Sequence, residues 1–289
     1  MYDPQPKFIC ELFDKLTVPM LMYGSEVWGF HSADAIEKVH LAFCKKILKL
    51  KKTTSSNIVY GELGRFPLKL QKYHRIVKYW LKIVCVKSNP LVCKFYNVLY
   101  EKTLNGENID NWASLLRSLL FKLSFGEVWI AQGVPDVNLF LKICKQRLQD
   151  QFIQGWFGEL ETKADTELYR HVKSRFSYSF YLDVVNIPRY SYSMCQFFAR
   201  NHKLPLITGR WLRQPRKKRL CITCGKLGDE YHFVLICKQD ALVSLRRRYI
   251  NSYYFINPSM FKFVQLLTND EVRTIRNLAV YIHKGLCSQ

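Results

Sequence analysis

Four side chains that commonly bind transition metals fall within seventeen residues of this sequence. Three thiols and one imidazole complete the tetrahedral shell of a structural zinc ion. Gly225 and Gly228 allow the loop between the ligands to fold back, and a spacing of five residues is about one helical turn. The pattern predicts a zinc knuckle of the form Cys-x2-Cys-x7-His-x4-Cys, with the ligands Cys221, Cys224, His232 and Cys237.

Incidental thiols, a redox pair and a catalytic metal site are the alternatives. The sequence contains ten cysteines, so one Cys-x-x-Cys pair can arise by chance. A redox pair belongs near a strand–helix–strand pattern, and none surrounds Cys221. A hydrolytic zinc site usually has three protein ligands, a water and a general base. Glu230 is the nearby candidate base, and loop solvation is its expected role. The closed set of four ligands favours structural zinc.

A basic arm, defined here as Arg200 to Arg219, precedes the knuckle and contains eight Lys or Arg and no acid. Cations release counterions from a phosphate backbone, and an aromatic ring between them can stack on an unpaired base. The alternatives are a solvated charge run, a nuclear localisation patch, and a core position for Trp211. The coupling of arm and knuckle favours nucleic-acid contact by Arg210, Trp211, Arg213, Arg216, Lys217, Lys218 and Arg219.

The whole chain is basic, with 44 Lys or Arg against 23 Asp or Glu and a formal net charge of +21. This charge suits a polyanionic partner, nucleic acid first and an anionic membrane surface second. The membrane is disfavoured because no apolar run approaches the length of a spanning helix, and no signal peptide begins the sequence. We therefore expect a nuclear or cytoplasmic protein without a membrane partner.

Helical periodicity dominates the chain and predicts a mainly α fold. We expect a helical bundle in residues 1–105, a helical connector in 106–199, and the basic arm, CCHC zinc knuckle and C-terminal helices in 200–289. Asp34 with Glu37 resembles a capping box, and Asp136 and Asp165 are expected to cap later helices. The segment from Lys51 to Pro67 carries turn signals and is expected to be a loop.

One amphipathic helix, in the segment LKLQKYHRIVKYWLKIVCV, buries Ile76, Val77, Trp80, Leu81 and Val84 on one side. Cations recur every three or four residues on the other side and are expected to share a face. That face is either a solvated surface or a second surface that follows a nucleic-acid backbone. Its residues are Lys69, Lys72, Arg75, Lys78 and Lys82.

One acidic pattern imitates a restriction-type nuclease, with Asp136 followed by Glu161 and Lys163. Nuclease residues of this kind project from paired strands onto one magnesium ion, whereas these lie on helical patterns. We therefore expect them to have no shared catalytic role.

The order of several motifs resembles the C-terminal part of a non-LTR (LINE-type) retrotransposon polyprotein, downstream of the reverse transcriptase palm. The motifs are LFDKLTVPMLMYGSEVWG, VHLAFCKKILKLKKTT, VYGELGRFPL, ITGRW, the Cys-Cys-His-Cys knuckle with EYHFVLIC, LRRRYI and PSMFKFVQLL. The resemblance implies a thumb-like role for the first helical domain, including Tyr23 to Trp28. It also implies that the knuckle binds zinc and helps to hold nucleic acid, either RNA template or target DNA.

Two departures from this family bear on catalysis. The sequence has no adjacent Asp-Asp pair, which the two-metal polymerase site requires, and the endonuclease of the family would lie upstream. We therefore expect a nucleic-acid-binding fragment without its own catalytic centre, with the missing palm and fingers as possible partners. The alternatives are a domesticated zinc-dependent nucleic-acid-binding module and an enzyme with an unrecognised site.

Overall fold

The computed structural model describes residues 5–31, 33–87, 89–106, 110–163 and 166–288. No β-strand forms among these residues, where the two isolated bridges join Leu63 to Tyr178 and Leu220 to Leu227. The prediction of a mainly α fold is confirmed. In chain order the α-helices are α1 (Pro6–Leu21), α2 (Ser25–Trp28), α3 (Ala33–Ile47), α4 (Ser56–Leu63), α5 (Leu68–Leu81), α6 (Pro90–Leu104), α7 (Trp112–Lys122), α8 (Gly126–Ile130), α9 (Val137–Thr162), α10 (Glu167–Val172), α11 (Tyr181–Val184), α12 (Pro188–Phe198), α13 (Pro205–Trp211), α14 (Asp240–Tyr249), α15 (Ser252–Phe255), α16 (Met260–Leu267) and α17 (Val272–Cys287).

Shorter helical turns in the described part of the chain include π-helix at Lys82–Val86 and His232–Ile236 and 3₁₀-helix at Arg216–Lys218. Within the described residues, no helix combines the length and the apolar composition that crossing a bilayer requires.

The chain divides into two compact units. The terminal unit comprises Met1–Glu11, Leu41–Arg65 and Phe157–Gln289, and the central unit comprises Leu12–His40 and Phe66–Trp156. Helices α1, α3 and α9 each contribute residues to both units. The domains expected from the sequence are continuous stretches of chain, whereas each compact unit is built from separated segments. Residues 1–105 contribute to both units, whereas residues 200–289 lie within the terminal unit.

The central unit packs around the apolar face of α5. Ile76 and Trp80 are fully buried there, as the helical periodicity predicts. The indole of Trp80 stacks on Trp129, with ring centroids 6.0 Å apart, and donates a hydrogen bond to Tyr96 Oη at 2.9 Å. Leu116 of α7 is also fully buried in this core. The indole N–H therefore has a partner, as a buried tryptophan requires.

The helix caps agree with the sequence in one place and differ in another. Asp136 Oδ1 accepts a hydrogen bond at 2.9 Å from a backbone N–H in the first turn of α9, so this predicted cap is confirmed. Asp34 is not a cap, because it lies inside the first turn of α3. Glu37 Oε2 instead accepts from the backbone N–H of Lys69 at 3.2 Å. The predicted cap Asp165 lies outside the described residues.

Helix α4 corrects the prediction of a loop between Lys51 and Pro67. Residues 57–63 are all buried in the terminal unit, including the carboxylate of Glu62. That carboxylate accepts hydrogen bonds from Tyr181 Oη and from Ser179 Oγ, the latter at 3.1 Å. The helix is therefore fixed by partners more than a hundred residues away in the sequence.

An aromatic cluster forms the core of the terminal unit beside the predicted metal ligands. The ring of Phe233 lies 6.0 Å from Phe197 of α12 and 5.6 Å from Tyr281 of α17, measured between centroids. Tyr281 Oη also donates to the carbonyl of Phe233 at 2.7 Å. Since Phe233 directly follows His232, the core anchors the segment that carries the imidazole.

Candidate metal centre and basic arm

A short hairpin positions the first two cysteines. The N–H of Cys221 donates to Lys226 O at 2.7 Å, and the N–H of Gly225 donates to Cys221 O at 2.9 Å. Gly225 has φ of +63°, a left-handed conformation in which a side chain would be strained. The turn therefore presents the sulfurs of Cys221 and Cys224 in the same direction.

The hairpin also packs against the basic arm. The N–H of Gly228 donates to Arg219 O, and the N–H of Leu206 in α13 donates to Gly228 O, both at 3.0 Å. A Cβ atom at position 228 would lie 2.6 Å from Pro205 Cγ, so a glycine permits this close approach. Arm and hairpin are thus parts of one packed structure.

A π-helical turn positions the other two ligands. The N–H of Cys237 donates to His232 O at 2.7 Å, which closes a turn of five residues. At the start of the turn, Asp229 Oδ1 accepts from the N–H of His232 at 2.8 Å. π-Helical turns are rare and often occur at functional sites. The predicted separation of about one helical turn is present, in its π form.

The four side chains converge with the dimensions of a tetrahedral metal site. Their ligand atoms all lie within 4.8 Å of one another, and Cys237 Sγ is 3.8 Å from the sulfurs of both Cys221 and Cys224. A tetrahedral ion with metal–sulfur bonds of about 2.3 Å places its sulfurs about 3.8 Å apart. Both ring nitrogens of His232 are buried without a hydrogen-bond partner among the described residues. The cluster could therefore hold a metal ion.

The protonation of the ligands follows their surroundings. Burial opposes ionisation of Cys221, but the backbone N–H groups of Cys224 and Thr223 outweigh it and lower the pKa of this thiol. Burial raises the pKa of Cys237 to about 11. Burial, followed by the nearby positive charges, lowers the pKa of His232. The imidazole is therefore held in the neutral form that binds metals.

Arg246 of α14 stabilises the π-helical turn by hydrogen bonds to its backbone. Its guanidinium donates to three backbone carbonyls, through Nε to Val234 at 2.7 Å, Nη1 to Cys237 at 3.0 Å and Nη2 to Phe233 at 3.4 Å. The side chain is buried. Nothing in the LRRRYI motif by itself distinguishes Arg246 from the two arginines that follow it. Its spacing of four residues from the buried Leu242 is the signal that it faces inward.

Glu230 is buried, which corrects the expectation that it is solvated. One carboxylate oxygen lies 3.0 Å from Arg200 Nε as an ion pair and 3.2 Å from His202 Nε2 as a hydrogen bond. Burial alone would raise the pKa of Glu230, but the contacts with His202 and Arg200 outweigh it and lower this pKa. Arg200 also lies 3.2 Å from Glu167, which Arg216 approaches at 3.5 Å. Glu230 is therefore the buried end of an ion-pair network that reaches the surface at Arg216.

Most of the predicted nucleic-acid contacts in the arm are exposed. Trp211 is 52 % exposed, and Lys51 Nζ lies 4.1 Å from its ring centroid, so the alternative of a core tryptophan is wrong. Arg219 is turned inward, where it donates to the carbonyls of Gln214 and Leu206. The remaining predicted contacts are exposed: Arg210, Arg213, Arg216, Lys217 and Lys218.

The second predicted surface, on α5, is only partly exposed. Lys72 is 2 % exposed, and burial lowers its pKa, so the prediction that five cations share a solvated face is wrong at this position. Arg75 donates to Met22 O at 2.9 Å and is half-buried. The exposed members of the set are Lys69, Lys78 and Lys82.

The acidic pattern that imitates a nuclease is dispersed. Asp136 caps the start of α9, and Glu161 lies in the last turn of the same helix, which ends before Lys163. Residues at opposite ends of a 26-residue helix cannot bind one ion together.

No protein-family model matches the chain, and neither a curated protein nor a solved structure is significantly similar to it. The resemblance to retroelement polyproteins therefore stays a prediction from the sequence.

Proposed function

We propose that this chain is a zinc-stabilised, nucleic-acid-binding fragment of a non-LTR retrotransposon reverse transcriptase. The observation that carries the proposal is the packing of the exposed basic arm onto the hairpin with two of the four convergent ligands. Through the contacts of Gly228 with Leu206 and Arg219, a bound ion would hold the arm in one conformation. A rigid set of cations loses less conformational freedom when it binds a strand.

Zinc is the proposed ion. The donor set of three sulfurs and one imidazole nitrogen is closed and soft, which suits structural zinc better than oxygen-preferring ions. The two unpaired ring nitrogens of His232 would otherwise carry a desolvation cost without compensation. If one ring nitrogen binds zinc, part of that desolvation cost is removed.

Single-stranded nucleic acid, either RNA template or target DNA, is the proposed partner. Trp211 presents an exposed ring beside five exposed arginines and lysines of the arm. Cations that neutralise phosphates and a ring that stacks on a base are the two elements of sequence-tolerant single-strand binding. The location that fits such a role is nuclear or cytoplasmic.

The palm and fingers of a parent polymerase are a second proposed partner. Helix α1 carries exposed apolar side chains four residues apart, a spacing that places them along one helix face, and the exposed Tyr23 follows in the turn after the helix. An apolar stripe of this length suits contact with another protein surface. Its members are Phe8, Leu12, Leu16, Met20 and Tyr23, of which Tyr23 belongs to the proposed thumb segment.

Catalysis is not part of the proposed function. Among the described residues, the metal-binding cluster consists of cysteines and histidine, whereas two-metal phosphoryl transfer uses clustered carboxylates. We expect the chain alone to leave a primer unextended when it is given template, nucleotides and magnesium. A domesticated zinc-dependent binding module is the alternative, and a decayed or intact palm in the genomic DNA upstream would favour the fragment.

Binding of labelled single-stranded and duplex oligonucleotides over a range of salt concentrations tests the proposal. A log–log salt slope steeper than about −2 is expected if the arm neutralises several phosphates. Trp211→Ala should weaken single-strand binding by about tenfold, and duplex binding less. Phe261→Ala, which removes a 74 % exposed ring from the same unit, is the control and should change neither. A shallow slope with equal effects of both substitutions would contradict the proposed function.

A further inference from the structure

A polar groove of about 730 Å³ lies in the terminal unit, between the end of α14, α15, the end of α16 and the start of α17. Arg247 and Arg248 line one side, and Arg273 of α17 lines another. These residues belong to neither the metal cluster nor the basic arm. The run of arginines that follows Arg246 thus divides between a buried structural residue and two residues of an open groove.

The positive charge of the groove is largely uncompensated. Arg247 and Arg273 are exposed, and neither guanidinium has a hydrogen bond or ion pair with the residues that the structure describes. Arg248 contacts the ring of Tyr249, with its Cζ 5.5 Å from the ring centroid. Glu271 is the acid at the edge of the groove, and its Oε2 accepts from Thr274 Oγ1 at 2.6 Å. Three arginines against one carboxylate leave a site for an anion.

The groove is held in place by the core of the unit. Arg246, in the same last turn of α14 as Arg247 and Arg248, fixes this turn through its three carbonyl contacts with the π-helical segment. On the other side, Lys284 Nζ of α17 donates to Tyr249 Oη at 2.9 Å. The arginines therefore extend from anchored helices, which lowers the entropy lost when they bind a ligand.

The chemistry of the lining selects a phosphorylated nucleotide. Guanidinium groups match phosphate oxygens in a bidentate geometry, and the groove is as large as pockets that bind small ligands. Phe255 lines the groove with an aromatic ring, on which a base can stack. Asn277 adds an amide, which can donate to and accept from a base edge or a sugar. The arginines thus suit the phosphate, the aromatic ring suits the base, and Asn277 suits a base edge or the sugar.

We infer that this groove is a second anion site, which binds the phosphate of a nucleotide unit through Arg247 and Arg273. The inference rests on the proposed function for the choice of a nucleic-acid strand as the natural source of that nucleotide. A free nucleotide offers the same chemistry, and the experiment below distinguishes the two sources.

The test compares full-length, metal-loaded proteins in binding to a labelled single-stranded oligonucleotide and to adenosine monophosphate. The double variant Arg247→Gln/Arg273→Gln should bind the oligonucleotide about tenfold more weakly, with a salt slope shallower by about 0.7, because one phosphate is no longer neutralised. Arg175→Gln removes an exposed arginine of the same unit outside this groove and should change affinity less than about twofold. A thermal melt confirms that each variant is folded.

A conservative variant and the two ligands separate the outcomes. Arg247→Lys/Arg273→Lys keeps the charge but loses the bidentate geometry, so it should recover part of the affinity. Adenosine monophosphate binding that the Gln pair abolishes supports a nucleotide site, even if no strand binds and the proposed function fails. Weaker strand binding without mononucleotide binding supports a site for the strand backbone. Affinities of the Gln pair within twofold of Arg175→Gln for both ligands would overturn the inference while leaving a role of the arm intact.

Discussion

At the scale of single residues, His232 joins the metal cluster to the fold. Its two ring nitrogens are buried and unpaired within the described residues, and its backbone N–H donates to Asp229 Oδ1. A buried polar group without a partner costs about 1–3 kcal/mol. An ion that accepts one nitrogen as a ligand therefore contributes to stability as well as to the position of the turn.

Replacement of one ligand tests this arrangement. Cys224→Ser should lose the bound metal and lower the melting temperature, because three ligands and a hydroxyl do not complete a soft tetrahedral shell. The measurement is metal content by mass spectrometry with a thermal melt. Cys287→Ser, which changes an exposed free cysteine of the same unit, should retain about one zinc per chain. Equal metal in the two variants would remove this cluster from consideration.

A pair of arginines that share Glu167 tests the buried ion network. Arg200→Met leaves the buried Glu230 with His202 as its remaining side-chain partner among the described residues, and should lower the free energy of unfolding by about 3 kcal/mol. Arg216→Met breaks an ion pair whose arginine side chain is 57 % exposed, and should cost less than about 1 kcal/mol. Urea unfolding of both variants gives the comparison. Similar losses would show that burial of the Arg200 pair does not determine its strength.

The metal site could be predicted because its four ligands lie close together in the sequence. Cys221 to Cys237 span one hairpin and one helical turn, so their spacing alone defines the set. The sequence gives no such local signal for the contact between Glu230 and Arg200, which are thirty residues apart. Its burial depends on how α12, α13 and the hairpin pack together.

At the scale of elements, a glycine determines how α4 meets the segment that follows α10. Gly64 has φ of +59°, and a Cβ atom there would lie 2.3 Å from the backbone nitrogen of Tyr178. The next backbone contact, from Ser179 N to Glu62 O at 2.9 Å, joins the same two segments. Close approach of backbone to backbone is therefore built into this junction.

Gly64→Ala should destabilise the terminal unit by at least about 3 kcal/mol, since the left-handed strain adds to a clash with backbone that cannot rotate away. Gly106→Ala is the matched control, because its φ is +69° but nothing lies within 4 Å of the added Cβ. The control should cost about 1 kcal/mol. Denaturant unfolding curves measure the loss of unfolding free energy in each variant. Equal losses in Gly64→Ala and Gly106→Ala would mean that the junction near Tyr178 is loosely packed.

The sequence predicts a buried helix face most reliably where apolar side chains recur with the helical period. The stripe of α5 that contains Ile76 and Trp80 is buried as predicted. The same periodicity fails for Lys72, because α2 approaches α5 so closely that a Cβ on Gly29 would lie 2.9 Å from Lys72 Cγ. Helix α4 was missed because Gly61, Gly64 and Pro67 resemble loop signals, while its stabilising partners are distant in the sequence.

At the scale of the whole molecule, the candidate metal ligands all lie in the terminal unit. Removal of metal with a chelator should therefore increase hydrogen exchange in residues 220–249 and leave the core of the central unit protected. The amides of Trp80 and Leu116 report on that core. Mass spectrometry of peptic fragments measures both regions in one experiment. A uniform change across the two units, or none near Cys221, would contradict a structural ion.

The interleaving of the two units also affects the order in which the chain can fold during synthesis. The central unit is complete when Trp156 has been made, but α4 must wait for partners between Phe157 and Gln289. At about 5–20 residues per second, that wait is on the order of ten seconds. During it, Ile58, Val59 and Leu63 have no terminal unit in which to be buried. This part of the nascent chain, which also includes Cys44 and Ile47 of α3, is therefore prone to aggregation until the residues after Phe157 have been made.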